Sequence, residues 1–455
     1  MLDKHAPWVL FQTRKKYVPW LSKETEDLMK TRDILKSTAV SLNKEGRDSK
    51  IVWSEYKKVR NKVNNRRKFE EINFKKEKMA ASIGCLTSTW KTAKSFMDWD
   101  TNSGPPQQLV VNGTLISKSL DIANSLNTFF IEKVKNIRQG IPNVQNSFEK
   151  CREKMKNKNC RLSISHVSVH TVRKMLKKLK SSKSTSIDGL DNFSVKISAE
   201  IIAEPLHHVI CLSILQKKFP SEWKLSKVIP LHKKGSKDER NNYRPVAILS
   251  PLSKILERII HEQIYKYFSQ NKIFHQNLHG YRSNRSTLTA LISMYDRWVR
   301  ASSRGEISGA VLLDLSAAFD LVEPSILIKK LQIYGLEEDF VTWIDSYFEE
   351  RYQGVWIRHV LSDLIRCDIG VPQGSILGPL LFLIYFNDLP DHLQCKTDSY
   401  ADDTTLSTSN SKIAEIGPTL TEGCSNVSES NRLELNATKT HVMALVTQQR
   451  LTRTQ

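Results

Sequence analysis

The chain has 455 residues and a formal net charge of +21 at pH 7. This length allows more than one domain and a sizeable core, and a hydrophobic share of 40% fits a globular protein. The excess of Lys and Arg favours a polyanionic partner, nucleic acid first and an acidic membrane second, with solvated lysine-rich helices as the alternative.

The cysteines and the apolar segments narrow the class of protein. The seven cysteines form no C-x-x-C pair, which excludes a visible zinc knuckle or ribbon. Their odd number, and the lack of an apolar signal core in residues 1–16, predict an intracellular, non-secreted protein, with nucleus and cytoplasm both open. The longest apolar run, residues 376–386, is too short to span a bilayer and predicts a buried helix. No membrane partner is expected.

Residues 1–100 are predicted to form a basic helical connector. Val52, Tyr56, Val59 and Val63 follow a 4-3-4 spacing, which places them on one face of a helix. The basic clusters at 66–68 and 75–76 indicate either a nucleic-acid contact or a solvated helical face, and both remain open. Residues 101–160 are predicted to be a linker, at 101–108, followed by a helical segment.

From about residue 160 onward, helical and strand patterns alternate, which predicts an α+β or α/β architecture. The predicted helices cover 171–180 and the apolar stretch after Pro251, while the predicted strands cover 228–231, a segment starting near Tyr243, and 310–313. Pro324 is expected in the first turn of a helix and Gly335 at its C-terminal cap.

Three carboxylates are the candidate chemical centre. Asp402 and Asp403 are adjacent and are predicted at the tip of a hairpin, and Asp314 ends a buried strand. Carboxylates about 4 Å apart repel by roughly 4 kcal/mol at an effective dielectric constant of about 20, so such a cluster requires protons or cations. Divalent ions would point to phosphoryl transfer. If each segment is considered separately, an ordinary surface hairpin explains Asp402 and Asp403 at least as well as a metal site does. A turn-capping aspartate explains Asp314 in the same way.

Three further segments are candidates for binding a phosphorylated ligand. Small residues at 316–318 allow backbone amides to approach a triphosphate, and Gln373-Gly374 at a predicted helix start offers backbone and amide donors. Lys234 precedes a turn and Arg244 follows it, and the guanidinium fork suits bidentate phosphate binding. A plain turn and a solvated loop are the respective alternatives.

These segments occur in an order that resembles the reverse transcriptase family, and more narrowly the polymerases of non-LTR, jockey-like or long interspersed retrotransposons. The motifs are Asn242-Tyr-Arg-Pro-Val246, His279-Gly-Tyr-Arg-Ser-Asn-Arg-Ser-Thr287, Leu313-Asp-Leu-Ser-Ala-Ala-Phe-Asp320, Gly370-Val-Pro-Gln-Gly-Ser375, Tyr400-Ala-Asp-Asp403 and Leu435-Asn-Ala-Thr-Lys-Thr440. The resemblance covers about residues 160–445.

The resemblance implies a right-hand polymerase core with an antiparallel palm sheet. It places an N-terminal extension and fingers at 161–309 and a palm at 310–455, with the reverse transcriptase domain at about 210–455. The expected partners are an RNA template, a DNA primer and dNTPs, and the oligomeric state is left open. The expected cofactor is a pair of Mg²⁺ ions, for which Mn²⁺ is a possible substitute.

The resemblance also assigns roles to individual residues. Asp314, Asp402 and Asp403 would hold the metal ions, and Lys439 would protonate the pyrophosphate, unless it is only a solvated turn residue. The implied nucleotide contacts are the backbone at Ala317 and Ala318, the Phe319 ring as a gate against a ribose 2′-hydroxyl, Gln373-Gly374 for positioning, and Lys234 and Arg244 for the phosphates.

Two departures from the family pattern leave a second function open. The endonuclease domain is not seen before the polymerase motifs, and the short tail after Lys439 predicts that the thumb is absent. The principal hypothesis is therefore RNA-directed DNA synthesis as part of retrotransposition. The alternative is a catalytically impaired, nucleic-acid-binding remnant.

Overall fold

The computed structural model describes residues 18–96, 104–142 and 147–446, which fall into two compact units divided after residue 103. The first unit is helical, as predicted. Its helices are α1 (Lys23–Lys44), α2 (Lys50–Ser82) and α3 (Leu86–Phe96). Ser22 caps α1 by accepting a hydrogen bond from the Thr25 amide at 3.3 Å.

The predicted apolar face of α2 is present in the first unit. Val63 is fully buried, and Val52, Tyr56 and Val59 are half-buried. The basic clusters on this helix are partly used within the unit. Arg66 pairs with Glu24 and Glu70, and Lys75 pairs with Glu71 at 2.5 Å. These ion pairs favour the solvated-face interpretation for Arg66 and Lys75, whereas Lys68 and Lys76 are exposed.

The second unit mixes helices and strands, which confirms the predicted α+β class. Its helices are α4 (Ser119–Gly140), α5 (Glu149–Met155), α6 (Val169–Lys177), α7 (Asn192–Ile197), α8 (Ala199–Leu215), α9 (Pro251–Gln270), α10 (Thr287–Ser303), α11 (Pro324–Ile333), α12 (Glu338–Phe348), α13 (Leu377–Tyr385), α14 (Leu389–His392) and α15 (Ile413–Asn431). Its strands are β1 (Leu109–Val111), β2 (Thr114–Ile116), β3 (Leu225–His232), β4 (Tyr243–Ile248), β5 (Ile307–Leu313), β6 (Leu315–Ser316), β7 (Arg351–Ile357), β8 (Val360–Leu361), β9 (Ile365–Cys367), β10 (Lys396–Tyr400), β11 (Asp403–Asn410), β12 (Glu434–Leu435) and β13 (His441–Leu445).

Two larger sheets organise this unit. The first is antiparallel with the order β10-β11-β5-β13, and the short pair β6–β12 continues beside it. The second is mixed: β4 pairs antiparallel with β3, β3 pairs parallel with β7, and β8 and β9 both pair with β7. We refer to β10–β11 as the Asp402 hairpin and to β3–β4 with its loop at 233–242 as the Lys234 hairpin.

One large core holds the helices against the antiparallel sheet. Every residue of helix α13 except the half-buried Pro379 is buried, as the apolar run predicted. Ile255, Ile259, Ile260 and Ile264 form the buried face of α9. A smaller core lies under α4 and joins Ile122 and Leu126 to residues of β1, β3 and β7.

Several predicted boundaries differ from those observed. The helix predicted at 171–180 covers Val169–Lys177, and the strand predicted at 310–313 begins at Ile307. Leu312 is 42% exposed, whereas the other residues of this strand are buried. The β1–β2 hairpin was not predicted, because its strands have only three residues each.

The predicted linker lies partly outside the described residues, which exclude 101–103. Within the described part of the chain, we find no helix that combines the length and the hydropathy needed to cross a bilayer.

Candidate active site

Strand pairing brings the three aspartates to one end of the antiparallel sheet. Strand β5 ends at Leu313, which lies opposite Thr404 of β11. Asp314 directly follows Leu313, and Asp403 directly precedes Thr404, so the two aspartates lie at the same end of the sheet. Tyr400 and Asp403 form the last pair of the Asp402 hairpin. Burial raises the pKa of Asp403, and the neighbouring charges of Asp402 and Asp314 raise it further. The three carboxylates therefore repel one another across this sheet end.

The tip of the hairpin differs by one residue from the prediction. Asp403 belongs to β11, and the two tip residues are Ala401 and Asp402. The left-handed backbone conformation occurs at Ala401, with φ +60°, although we expected an aspartate there. Two-residue hairpin loops require positive φ at a central position, and the register places Ala401 at that position.

A second backbone segment supports the hairpin from outside its own sheet. The Ser399 amide donates to the Asn277 carbonyl at 3.0 Å, and the His279 amide donates to the Ser399 carbonyl at 2.8 Å. Gly280 lies against the tip: a Cβ atom there would be 2.2 Å from the Ala401 nitrogen. Only glycine permits this approach without displacing the hairpin.

A buried acid lies two residues before Tyr400 on the same strand. Asp398 is 3% exposed and forms an ion pair with Arg297 of α10. His279 approaches the same carboxylate, with Nε2 3.8 Å from Oδ1. Burial lowers the pKa of His279, as do the nearby arginines, whereas Asp398 opposes them. These contacts tie β10 to α10 and to the segment before Gly280.

Lys439 contacts Asp314 directly. Its Nζ lies 2.8 Å from Asp314 Oδ2, and both side chains are substantially exposed. The turn that carries Lys439 is fixed on Asp314 by the Asn436 amide, which donates to the Asp314 carbonyl at 2.8 Å. The flanking strands β12 and β13 pair with β6 and β5, on either side of Asp314.

The predicted site residues converge on one cleft of about 690 Å³. Ten of them line it: Lys234, Arg244, Asp314, Ala317, Ala318, Phe319, Gln373, Gly374, Asp402 and Lys439. Asp403, the remaining predicted residue, follows the tip residue Asp402 in the chain and does not line the cleft. Cations from the Lys234 hairpin and from the Lys439 turn thus face carboxylates across the same cleft.

Phe319 is held by two aromatic rings. Its ring stacks on Phe382 of the buried helix α13, with centroids 4.6 Å apart and planes at 20°. Tyr281 meets it edge-on at 6.1 Å. Ala317, two residues before Phe319, has a φ of +50°, which turns the chain sharply after β6. Ala318, between them, is buried. The ring therefore has a fixed position at the wall of the cleft.

The Gln373-Gly374 turn differs from the prediction in what it offers a ligand. Helix α13 begins later, at Leu377, and Glu257 Oε2 accepts from the Ile376 and Leu377 amides at 2.7 and 3.2 Å. The donor end of Gln373 is also occupied, because Nε2 lies 2.9 Å from both carboxylate oxygens of Asp320. The two helix-start amides and the glutamine amide group therefore have protein acceptors.

This turn also contacts strand β4 of the Lys234 hairpin. The Ala247 amide of β4 donates to the Gln373 carbonyl at 2.9 Å. At Gly374, with φ +138°, a Cβ atom would lie 2.2 Å from the Ala247 carbonyl oxygen. Glycine is required here both for its backbone angle and for the close contact.

The Lys234 hairpin presents its cations to solvent. Lys234 and Arg244 are both exposed. Burial lowers the pKa of neighbouring Lys233, and the charges of Arg244, Lys439 and Lys234 lower it further. Lys233 also lines the cleft, so the positive charge on this side exceeds that predicted from Lys234 and Arg244 alone.

The donor chemistry of the carboxylates fits a hard divalent cation, because Mg²⁺ prefers oxygen ligands and would relieve the repulsion at Asp403. In the described part of the chain, no three Asp, Glu, His or Cys side chains are arranged closely enough to enclose an ion. Asp314 faces Lys439 instead, and this ammonium group partly neutralises the cluster.

Several residues that position the site had no role predicted from the sequence. These residues are Gly280, Tyr281, Arg297, Asp320 and Asp398. Gly280 and Tyr281 belong to a motif that was recognised, but no residue pattern indicated its contact with the hairpin. Arg297 and Asp398 lie in different elements, and their pairing has no local signal.

Comparisons with known proteins show which family part of the chain resembles. The profile of the family described as "Reverse transcriptase (RNA-dependent DNA polymerase)" matches residues 231–452. The chain is 30% identical over 266 residues to the "Probable RNA-directed DNA polymerase from transposon BS" of Drosophila melanogaster, covering 54% of this chain and 28% of that protein. It is 28% identical over 262 residues to the "RNA-directed DNA polymerase from mobile element jockey" of the same species, covering 55% and 28%.

A third relative, the "Probable RNA-directed DNA polymerase from transposon X-element" of Drosophila melanogaster, is 32% identical over 173 residues, or 38% of this chain and 19% of that protein. The matches therefore span less than a third of each of these relatives. Residues 231–452 therefore match the reverse transcriptase (RNA-dependent DNA polymerase) family.

Proposed function

We propose that this chain is an RNA-directed DNA polymerase that extends a primer 3′-hydroxyl with dNTPs on an RNA template, as part of retrotransposition. The observation that carries the proposal is the cleft itself. It gathers Asp314 and Asp402, Phe319, and the cations of two separate turns around a volume of about 690 Å³. Because RNA and dNTPs are intracellular substrates, we also propose an intracellular site of action.

In this proposal the antiparallel sheet with the Asp402 hairpin is the palm, and the Lys234 hairpin belongs to the fingers. The division into a connector at 1–100, a linker and helical segment at 101–160, an N-terminal extension and fingers at 161–309 and a palm from 310 is part of the same proposal. The Gln373-Gly374 turn then connects fingers to palm through Ala247.

Asp314, Asp402 and Asp403 would hold two Mg²⁺ ions, which Mn²⁺ can replace. When bound, the ions would activate the primer hydroxyl and stabilise the charge on the departing pyrophosphate. Lys439 Nζ lies 2.8 Å from Asp314 Oδ2, so its ammonium group is placed to release Asp314 and donate a proton to the pyrophosphate.

The remaining cleft residues would bind the nucleotide. Lys234 and Arg244, together with Lys233, would hold the triphosphate, and the backbone at Ala317 and Ala318 would approach it. Gln373 would position the nucleotide and template through its side-chain oxygen Oε1, because Asp320 already accepts from its Nε2. The Phe319 ring, stacked on Phe382, would clash with a ribose 2′-hydroxyl.

The function is tested by primer extension on an RNA template with Mg²⁺ and either dNTPs or NTPs. We expect extension with dNTPs only, and Phe319→Val should admit NTPs because it removes the ring. Leu288→Val, an exposed change on α10, is the control. If the unsubstituted chain extends equally well with NTPs, the gate assignment is wrong.

The same assay separates the polymerase from the binding remnant. No extension, together with salt-sensitive RNA binding, would favour the remnant. For either function, the logarithm of RNA affinity should fall linearly with the logarithm of salt concentration, at roughly 0.7 per neutralised phosphate of a single strand. A flat response would contradict an electrostatic role for the basic residues.

A further inference from the structure

A second cavity, of about 320 Å³, lies beside the active-site cleft and shares six lining residues with it, namely Phe130, Val134, Pro245, Asp320, Pro372 and Gln373. Its walls come from α4, β3, β4, β7, β9 and the turn before Gln373. The apolar part of the lining includes Ile131, Val228, Ile369 and Val371. This volume is at the lower end of the range of about 300 to 1,000 Å³ that is typical of small-molecule pockets.

One wall residue of this cavity is a buried arginine with unused hydrogen-bonding capacity. Arg351 is 4% exposed. Its Nη1 donates to the Tyr347 carbonyl at 3.0 Å, and its guanidinium carbon lies 4.6 Å from the centre of the Tyr347 ring. Its Nη2 is buried and has no hydrogen-bond partner among the described residues. A buried donor without an acceptor costs about 1–3 kcal/mol, and more when it is charged.

The charge of Arg351 is also not neutralised by direct contact. A guanidinium group stays protonated in proteins, so burial cannot remove the charge. Glu257 influences it electrostatically, but the Glu257 oxygens accept hydrogen bonds from Ser253, Ile376 and Leu377. Within the described ranges, Arg351 forms no ion pair with a carboxylate.

The other charges around the cavity are mostly paired with one another. Arg138 pairs with Glu323, and Arg366 pairs with Asp368 at 2.7 Å. Asp320 accepts both of its contacts from Gln373. Lys135, which also lines the cavity, adds a further positive charge. The cavity therefore combines apolar walls with an excess of positive charge at Arg351 and Lys135.

We propose that this cavity binds a small amphipathic anion, with a compact apolar body against the α4 wall and a carboxylate that accepts from Arg351 Nη2. The ligand would supply the acceptor and the negative charge that Arg351 lacks. Such a site is additional to the nucleotide cleft, and its ligand would contact the same Gln373 that lines that cleft.

The test measures binding alone, by titration calorimetry of the full chain without nucleic acid or nucleotide. The probes are 2-naphthoate and its neutral analogue 2-naphthamide, which have the same apolar body. We expect 2-naphthoate to bind at least about tenfold more tightly than the amide, equivalent to about 1.4 kcal/mol. Equal affinities for the two probes would overturn the charge assignment.

Two variants locate the site. Ile131→Trp, at a residue that lines this cavity and not the nucleotide cleft, should fill the cavity and weaken 2-naphthoate binding at least about tenfold, while Leu120→Trp, an exposed change on the same helix, should leave it unchanged. Arg351→Met should abolish the preference for the anion. If Arg351→Met does not fold, the probe pair and Ile131→Trp still decide the result. Undiminished binding in Ile131→Trp would refute the site.

Discussion

The Asp402 hairpin and the Lys234 hairpin supply opposite charges to the same cleft, yet they are held in different ways. The Asp402 hairpin has β5 on one side and the backbone of Asn277 and His279 on the other. Its buried Asp398 pairs with Arg297. The Asp402 hairpin therefore contacts three other parts of the chain.

The strands of the Lys234 hairpin are held by β7 and by the Gln373 carbonyl, whereas its loop is held mainly by contacts within the hairpin. Strand β4 lies at the edge of its sheet. The Lys233 amide donates to the Asn242 carbonyl at 2.8 Å, and the Tyr243 hydroxyl donates to the Lys237 carbonyl at 2.7 Å. Two contacts of the loop reach further, from the Val110 amide to the Asp238 carbonyl at 2.8 Å and from Arg240 Nη1 to Ser125 Oγ at 3.5 Å. The cationic side chains themselves are exposed.

This difference matches the proposed ligands. Carboxylates that hold a metal ion must keep a fixed geometry, because a small misplacement reduces catalysis strongly. Long cationic side chains can follow a flexible triphosphate, so they need less support. Substitutions at the Asp402 hairpin and its supports should therefore have larger effects than substitutions at the Lys234 hairpin.

The largest effect is expected for Asp402→Asn. Removing this charge should reduce primer extension by at least about 10³-fold, because the ion site loses a ligand. The melting temperature should change little, because Asp402 is at a hairpin tip. Asp339→Asn, at an exposed carboxylate paired with Lys217, is the matched control. Surviving activity in Asp402→Asn would refute the metal assignment.

The support of the hairpin is tested next by Gly280→Ala. The added Cβ atom would lie 2.2 Å from the Ala401 nitrogen, so the tip must shift. We expect primer extension to fall about 10- to 100-fold and stability to fall by about 1–3 kcal/mol. Gly417→Ala, where a Cβ atom would meet nothing within 4 Å, provides the control for both measurements. Unchanged activity would show that the tip does not need this contact.

The contact between Asp320 and Gln373, beside the Lys234 hairpin, should make a pH-dependent contribution to stability. Burial raises the pKa of Asp320 to about 6, against the opposing effects of Gln373 and Lys133. A raised acid pKa means that the folded state binds the proton more tightly than the unfolded state. The contribution of Asp320 to stability should therefore decline as the pH rises from about 4 to above 6, by up to about 3 kcal/mol.

Asp320→Asn should remove this decline, and Asn can still accept from Gln373 Nε2. We would measure urea unfolding of both proteins between pH 4 and 8 and take the difference between the two curves. Asp363→Asn, at a carboxylate of the neighbouring sheet outside the cavity lining, controls for general charge effects. A difference that does not change with pH would contradict the raised pKa.

The smallest effect is expected at the Lys234 hairpin, from Arg244→Lys. The charge is kept but the bidentate fork is lost, so we expect the KM for dNTP to rise about tenfold while kcat changes less. Steady-state extension with varied dNTP tests this, with Arg304→Lys as an exposed control. A loss in kcat as large as that of Gly280→Ala would remove the distinction between the two hairpins.

Local sequence patterns account for much of the observed architecture. The apolar run at 376–386 predicted the buried helix α13, and Pro324 marked the first residue of α11. The loop at 233–242 and its flanking strands were also expected. The order of the motifs led to the residues that line the cleft, because each motif carries its own turn or strand chemistry.

The structure differs from the predictions made from the sequence where a residue's partner is distant in sequence. The apolar run indicated where α13 lies, but not that Glu257 occupies the amides at its start. Turn chemistry indicated a bend at Gln373-Gly374, but not that Asp320 accepts from the glutamine.

Residue type, spacing and motif order were thus enough to indicate an α+β fold, the carboxylates and the family. Folding was needed to show that Lys439 contacts Asp314 across 125 positions and that Gly280 supports the hairpin tip. Elements form from preferences among near neighbours, which a single sequence displays. Hydrogen-bond partners and close backbone contacts depend on how those elements pack, which near-neighbour patterns do not encode.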